Sequence, residues 1–252
     1  MNVDSIVQKV AKSNLKITSL VGSGISKASG MPTFRGEDGM WNNYKAQDLA
    51  TPFAFQKNPI LVWDWYRARM RILLKAKPNP AHQALTELEA KGIGIGVVTQ
   101  NVDGLHEIAG TQNIVEVHGR IRYARCISCN HYERWDNSEF AENVGELPYC
   151  SECKINLLRP DVVWFHETLD PDKWTKAQNY IEQTNLLFVI GTSGVVYPVA
   201  SLPQVAKQMG AIVVEFNIEE TPISSISDYS IIGPCEKALP EFIGKLFEEM
   251  GI

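Results

Sequence analysis

No stretch of this 252-residue sequence is apolar for long enough to cross a bilayer, and residues 1–14 are polar and charged, with no apolar run of the kind a secretory leader carries. A reducing cytoplasm is the expected location, and no membrane partner is expected. Positive charge is not in excess either. There are 24 Lys and Arg against 29 Asp and Glu, a net charge of −5, so nucleic acid is not an expected partner. Arg120, Arg122, Arg125, Arg134 and Arg159 read as a solvated face. There is no internal repeat and no low-complexity linker. The length fits one large domain, or one domain with inserts, whose core needs no disulfides.

Cysteine is scarce, and the few present are organised. Four of the five form two C-x2-C pairs, Cys126/Cys129 and Cys150/Cys153, about twenty residues apart, the spacing of a structural zinc site. Two disulfides would need an oxidising compartment, and a redox pair would not need a second copy. Four thiolates fill a tetrahedral Zn²⁺ and leave no open position, so this metal braces a module and is not the catalyst. Cys235 has no partner in sequence and reads as an ordinary thiol or a pocket wall.

Four short apolar runs predict parallel strands buried on both faces: residues 16–21, 94–99, 186–190 and 212–216. Each stops at small polar residues: Gly22-Ser23-Gly24, Gln100-Asn101, Gly191-Thr192-Ser193 and Asn217. Helices are predicted over 80–91, 172–183, 198–209 and 239–250. This alternation indicates an α/β, Rossmann-like parallel sheet with ligand at the strand ends. Residues 37–77, rich in aromatics and helix formers, and 122–156, with the cysteines, interrupt the alternation and read as a smaller lobe. The large domain would then comprise 1–36, 78–121 and 157–252.

Gly22 to Ser26 could bring backbone N–H groups to a phosphate at a helix start, although the pattern is not G-x-G-x-x-G. Phe34 could cover a flat ring and Arg35 pair with an anion. Asn101 and Asp103 follow a buried strand, where they can hold a carboxamide or cap a helix. His106 on the same turn reads as structural. His118, between a strand and Gly119, has the position of a general base or of a hydrogen-bonded structural histidine.

Taken in order, Gly-Ser-Gly-Ile-Ser (22–26), Pro-Thr-Phe-Arg-Gly (32–36), Thr-Gln-Asn-Val-Asp-Gly-Leu-His (99–106), Val-His-Gly (117–119), the four cysteines, Arg-Pro-Asp-Val-Val-Trp-Phe (159–165), Gly-Thr-Ser (191–193) and Asn217 resemble a sirtuin, from about Leu20 to Pro240. The resemblance implies an NAD-dependent protein-lysine deacylase with one structural Zn²⁺ and NAD+ as cosubstrate. Its partner is an acylated lysine in a protein or peptide. Its products are nicotinamide, 2′-O-acyl-ADP-ribose and free lysine. By the same resemblance Gly22, Ser23, Gly24, Ile25, Phe34, Arg35 and Trp41 line the cofactor. Gln100, Asn101 and Asp103 hold the nicotinamide and its ribose, with Asn101 and His118 catalytic. Gly191, Thr192, Ser193, Asn217, Glu219 and Cys235 border the far end of NAD, and Val162, Val163 and Phe165 lie against the substrate peptide as an added strand.

Tyr66 and Arg69 are three apart, so on a helix they share a face and can clamp a carboxylate. This Y-x-x-R looks like the class III sirtuin pattern, which implies removal of succinyl and malonyl groups. Thr33, where deacetylase-type members often carry Asp, agrees with it. An incidental Arg on a core-facing helix is the plainer alternative. Three positions depart from the family pattern: Ser23 for Ala, His166 for Gly and Gly194 for a larger apolar residue. Other activities compatible with the same residues are protein ADP-ribosylation and non-catalytic NAD sensing. A zinc-ribbon nucleic-acid binder would explain the cysteines alone.

Overall fold

Residues 3–33, 46–129 and 131–252 are described by the computed structural model of this chain. Nine strands form two sheets among them. The larger contains β1 (Ile17–Val21), β2 (Gly94–Thr99), β3 (Ile114–Glu116), β7 (Leu186–Ile190), β8 (Ile212–Asn217) and β9 (Tyr229–Ile232). All pairings are parallel, in the order β3-β2-β1-β7-β8-β9. The smaller sheet is antiparallel, with β4 (Gly119–Cys126) between β5 (Tyr132–Arg134) and β6 (Leu158–Val162).

Every residue of β1 and β7 is buried, because helices cover both faces of the parallel sheet. On one face lie α1 (Val3–Val10), α5 (Pro80–Ala90) and α10 (Cys235–Met250), contributing Val7, Leu85 and Phe242 to one core. There Phe188, Phe216 and Phe242 meet edge to face, with centroids 5.3 to 5.6 Å apart. On the other face α8 (Pro171–Gln183) and α9 (Leu202–Gln208) pack Ile181 and Leu202 on Leu187 and Val213. The short α6 (Leu105–Ala109) follows β2.

The register is what positions the ligand rim. Val21 pairs with Thr99 and with Ile190, and Ile190 pairs with Phe216. Gly22, Gln100, Gly191 and Asn217 therefore emerge at one level. From β1 the strand order runs outward in both directions, so the β1/β7 boundary is the switch point where an open α/β sheet forms a crevice.

In the small lobe, helices α3 (Pro52–Lys57), α4 (Pro59–Leu73) and α7 (Ser138–Glu142) share a core with the small sheet, and α2 (Ala46–Leu49) packs on α3 and α4. Asn58 caps α4 by accepting from Leu61 N at 3.1 Å, and Pro59 occupies its first position. Trp63 of α4 meets Trp135 edge to face at 5.0 Å and donates from Nε1 to the Leu158 carbonyl at 3.0 Å. The insert and the cysteine module thus share one core. No helix among the described residues is long and apolar enough to cross a membrane.

The four predicted strands and the α/β class are borne out. β3 is the strand expected before His118, whereas the four-residue β9 has no counterpart in the sequence reading. Helix α10 starts at Cys235 rather than 239 and carries Pro240 inside it, a residue that argues for a late start in any pattern reading. The predicted 198–209 helix is a 3-10 turn, Val199–Ser201, running into α9.

His166 takes φ 72°, a left-handed conformation that costs a Cβ-bearing residue about 1 kcal/mol and glycine little. The backbone therefore explains why the family pattern has Gly there. His166→Gly is expected to raise the melting temperature by about 1–3 °C in thermal denaturation. A lower melting temperature would mean that the imidazole makes contacts outweighing its backbone strain.

Candidate active site

A cavity of about 1140 Å³ opens over the carboxyl ends of β1, β2, β7 and β8 and extends to the small lobe. Gly22, Ser23, Gly24, Gln100, Asn101, His118, Gly191, Thr192, Ser193, Asn217, Glu219 and Cys235 line it, as do Tyr66, Arg69, Val162, Val163 and Phe165. Residues from eight separate stretches of sequence thus meet at one place. Phe34, Arg35 and Trp41 lie outside the described residues.

The glycines at the β1/β7 boundary have a different role from the one expected of them. Gly22 N donates to Ile190 O at 2.9 Å and Gly24 N to Gly191 O at 2.8 Å. Both amides are engaged inside the fold and unavailable to a phosphate. A Cβ on Gly22 would stand 2.7 Å from Gly191 O, and one on Gly191 would stand 2.6 Å from Ile25 N. What the glycines permit is contact of two backbones, and the turn that follows, Ser23–Ser29, is a 3-10 helix. Ile25 is a second correction: it is fully buried in the sheet core, away from the cavity.

The β2 end is a lattice of hydrogen-bonded side chains. Gln100 donates from Nε2 to Thr192 Oγ1 at 2.9 Å. Asn101 donates from Nδ2 to Gly22 O at 3.1 Å and to Ser26 Oγ at 3.2 Å, which leaves its Oδ1 as the acceptor open to the cavity. Asp103 does not reach the cavity wall. Its carboxylate accepts from Ser26 Oγ at 2.8 Å and from Leu105 N at 3.0 Å, behind Asn101. His106 is buried with its ring 4.7 Å from that of His82. Burial first, and His82 second, push it well below the usual imidazole value, so it stays neutral. At the β8 end Asn217 donates from Nδ2 to Thr192 O at 2.9 Å.

His118 sits between Val117 and Gly119, where β4 begins. Its Nδ1 is 3.1 Å from the Gln100 carbonyl. A carbonyl only accepts, so Nδ1 carries the proton and Nε2 keeps a lone pair. Burial depresses its pKa below the usual imidazole value, against the opposing pull of that carbonyl. A neutral imidazole with a free acceptor nitrogen on a cavity wall can take a proton at neutral pH. Cys235, by contrast, is inert: burial pushes its thiol up to about 11, and it donates weakly to Phe216 O at 3.8 Å.

On the small-lobe side, Tyr66 and Arg69 project from the buried face of α4. Tyr66 Oη accepts from Trp164 Nε1 at 2.9 Å. Burial pushes the phenol up, so it keeps its proton. Burial also weighs against the Arg69 charge, holding it below the usual guanidinium value. The strand edge expected to meet a peptide has its amides engaged internally: Val163 N donates to His118 O, Trp164 N to Glu167 Oε2 and Phe165 N to Ala50 O. Two of its carbonyls are engaged as well: Val162 O accepts from Arg159 Nη2 at 2.9 Å and Trp164 O from Glu167 N at 3.1 Å. Sequence reading passed over the opposite wall, where Val196, Tyr197, Trp174 and Pro222 also line the cavity. The continuation of the apolar residues Val195-Val196-Tyr197 past Gly191-Thr192-Ser193 was the available signal.

The four paired cysteines converge as their spacing predicted. Their Sγ atoms all lie within 4.8 Å of one another, with Cys126–Cys153 at 3.8 Å and Cys129–Cys150 at 3.7 Å. A tetrahedron with Zn–S of about 2.3 Å has edges of about 3.8 Å, so the donor set fits zinc and is far too open for disulfides. Amides of Ser128 and Cys129 point at Cys126 Sγ, each at 3.4 Å. Without a cation the thiols oppose one another: the amides of Ile155 and Asn156 draw Cys153 down to about 6, while neighbouring thiols and burial outweigh the His131 amide and push Cys129 up to about 12. A divalent ion resolves that conflict.

A model of the Sir2 family matches residues 22–198. The NAD-dependent protein deacylase of Pyrococcus abyssi is 46% identical over 239 residues, covering 94% of this chain and 95% of that protein. NAD-dependent protein deacylase 1 of Archaeoglobus fulgidus is 44% identical over 240 residues, covering 95% and 96%. Among solved structures, a complex of a Sir2 homologue with NAD superposes with a TM-score of 0.91 at 42% identity, covering 98% of this chain and 94% of that one. A Sir2 protein bound to a myristoylated histone peptide gives 0.80 at 31% identity, covering 98% and 96%.

Metal analysis of the purified chain is expected to find one zinc per molecule. Cys150→Ser should lose it and lower the melting temperature, because binding at such a site is coupled to folding. A fully stable, zinc-free chain would show that the cysteines only pack.

Proposed function

The chain belongs to the Sir2 family, and from that premise we propose that it is an NAD-dependent protein-lysine deacylase that removes acetyl groups and, in addition, acyl groups ending in a carboxylate, succinyl and malonyl. The observation that carries the second part is the pairing of Tyr66 and Arg69 on one buried face of α4, lining the same cavity as His118. A phenol that keeps its proton and a guanidinium penalised by burial form a corner that a carboxylate satisfies on both counts.

NAD+, when bound, supplies the ribose carbon from which nicotinamide departs. This chain's residues do the positioning. The rim fits a neutral carboxamide, because Gln100 and Asn101 are held in place by Thr192, Gly22 and Ser26. Asp103 works from behind as the support of that lattice through Ser26. Thr192, Ser193, Asn217 and Glu219 line the cavity along the ends of β7 and β8, with Cys235 as a wall. His118 accepts a proton at Nε2 from the ribose hydroxyls, with its tautomer set by the Gln100 carbonyl. Enclosure between the two lobes excludes water from the reacting atoms. The cysteine cluster holds zinc and braces the lobe that carries α4. Acyl-lysine enters along residues 162–165, which line the cavity beside His118.

Side-by-side turnover on matched acetyl- and succinyl-lysine peptides tests this. Arg69→Met should lower kcat/KM for the succinyl peptide at least about thirtyfold and largely spare deacetylation. Equal loss of both activities would count against the clamp.

A second expectation concerns pH. The His118 pKa is depressed, so the base is neutral above it and is lost as pH falls through it. The acid limb of kcat/KM should therefore lie below 6.5, the ordinary imidazole value, and His118→Ala should remove turnover. A limb above that value that persists in the variant would place the base elsewhere.

A further inference from the structure

Tyr66 is a donor and an acceptor at once, and which role faces the cavity depends on its neighbours. Its oxygen receives the indole N–H of Trp164 at 2.9 Å. An indole N–H can only donate, so Tyr66 accepts on that side. Its own proton finds no acceptor among the described residues. Arg69, one turn along α4, lies with its guanidinium carbon 5.6 Å from the Tyr66 ring centre, and it too can only donate. Tyr66 is 1% exposed and lines the cavity. The corner is thus built of donors, and Trp164 fixes the direction of one of them.

Trp164 is itself held tightly. It is 2% exposed. The Arg159 guanidinium stacks 3.5 Å from its ring centre, and Phe55 meets the ring at 5.3 Å. Glu167 accepts from Arg159 at 2.5 and 2.9 Å and from the Trp164 backbone N–H at 2.8 Å. The indole is clamped above and at its backbone, so its N–H cannot swing away from Tyr66. A hydrophobic wall alone would need no such alignment.

We propose that Trp164 is a positioning residue for acyl specificity: by occupying the acceptor side of the Tyr66 hydroxyl it turns the Tyr66 proton toward the acyl end of the substrate. The assignment rests on the reading of Tyr66 and Arg69 as the carboxylate clamp. It adds that the clamp has a third member, recruited from the segment after β6, that never needs to touch the substrate carboxylate.

The test compares wild type, Trp164→Phe and Arg69→Met on matched acetyl- and succinyl-lysine peptides. Phenylalanine keeps a ring over Arg159 and removes the N–H. The ratio of succinyl to acetyl kcat/KM should fall about three- to tenfold, the worth of one hydrogen bond, mainly through KM for the succinyl peptide. In a Tyr66→Phe background the same change should have no further effect on that ratio. An unchanged ratio, with both activities falling together or neither falling, overturns the assignment and makes Trp164 a packing residue. If Trp164→Phe does not fold, benzothienylalanine at 164, which keeps the shape of indole without its N–H, gives the same reading. The Arg69→Met arm separates the two levels. If it leaves desuccinylation intact, the clamp itself is wrong and the Trp164 assignment falls with it. If it removes desuccinylation while the loss of the indole N–H is silent, only the Trp164 assignment is overturned.

Discussion

The contact between Gly22, Gly24 and Gly191 is the constraint from which the site follows. Two parallel strands end there at the same level, and the chain leaving β1 crosses directly over the chain leaving β7. Their main chains touch closely enough that any Cβ on Gly22 or Gly191 would overlap backbone atoms. Backbone that close cannot be displaced by a side-chain rotation. The junction therefore sets the floor of the crevice, and the side chains that follow β2 and β8 are aimed relative to it. Asn101 and Gln100 take their hydrogen bonds from this junction, to Gly22 O and Thr192 Oγ1 respectively. His118 takes its tautomer from the Gln100 carbonyl. A base three links from the glycines is thereby oriented by them.

The opposite wall has another origin. Helix α4 is not part of the layered sheet and would have no fixed place without a lobe to dock on. Trp63 and Trp135 provide the docking, and Trp63 Nε1 ties the helix to the Leu158 carbonyl next to the zinc module. Four cysteines close that module at one point. The metal site thus acts at a distance: it shapes the surface on which α4 rests, and α4 presents Tyr66 and Arg69. This division agrees with a filled tetrahedral shell, which can transmit rigidity and has no position for chemistry.

Much of this was legible in the residues. The four buried strands, the polar strand ends and the cysteine spacing each follow from a local rule, and the structure realises each one. What failed to show were matters of direction. A motif with Gly22 and Gly24 reads equally as a phosphate cradle or as a close backbone crossing, since both need an absent Cβ. Only the partner strand, more than 160 residues further on, decides between them. Asp103 and Ile25 lie within the right motifs, but one turns to Ser26 and the other into the core. Strand β9 is too short for a period-two pattern to stand out. The Trp164–Tyr66 bond joins residues 98 apart in sequence, and no spacing rule could have paired them.

The two halves of the cavity also use different electrostatics, and the difference has a consequence for specificity. Next to His118 the side chains of Gln100, Asn101 and Thr192 are neutral and hydrogen-bonded within the fold, so they favour shape and orientation over charge. The corner at Tyr66 sets the buried Arg69 cation beside one hydroxyl donor, an arrangement that is costly when it faces an apolar group and favourable when it faces an anion. Helix α4 shares its core with Met31, Val102 and Leu105 as well as with the small lobe, and under the reading proposed above it is this corner that chooses the acyl group. On that reading acyl selection and proton transfer rest on different elements of the fold. One is written in the insert and the other in the register of the sheet.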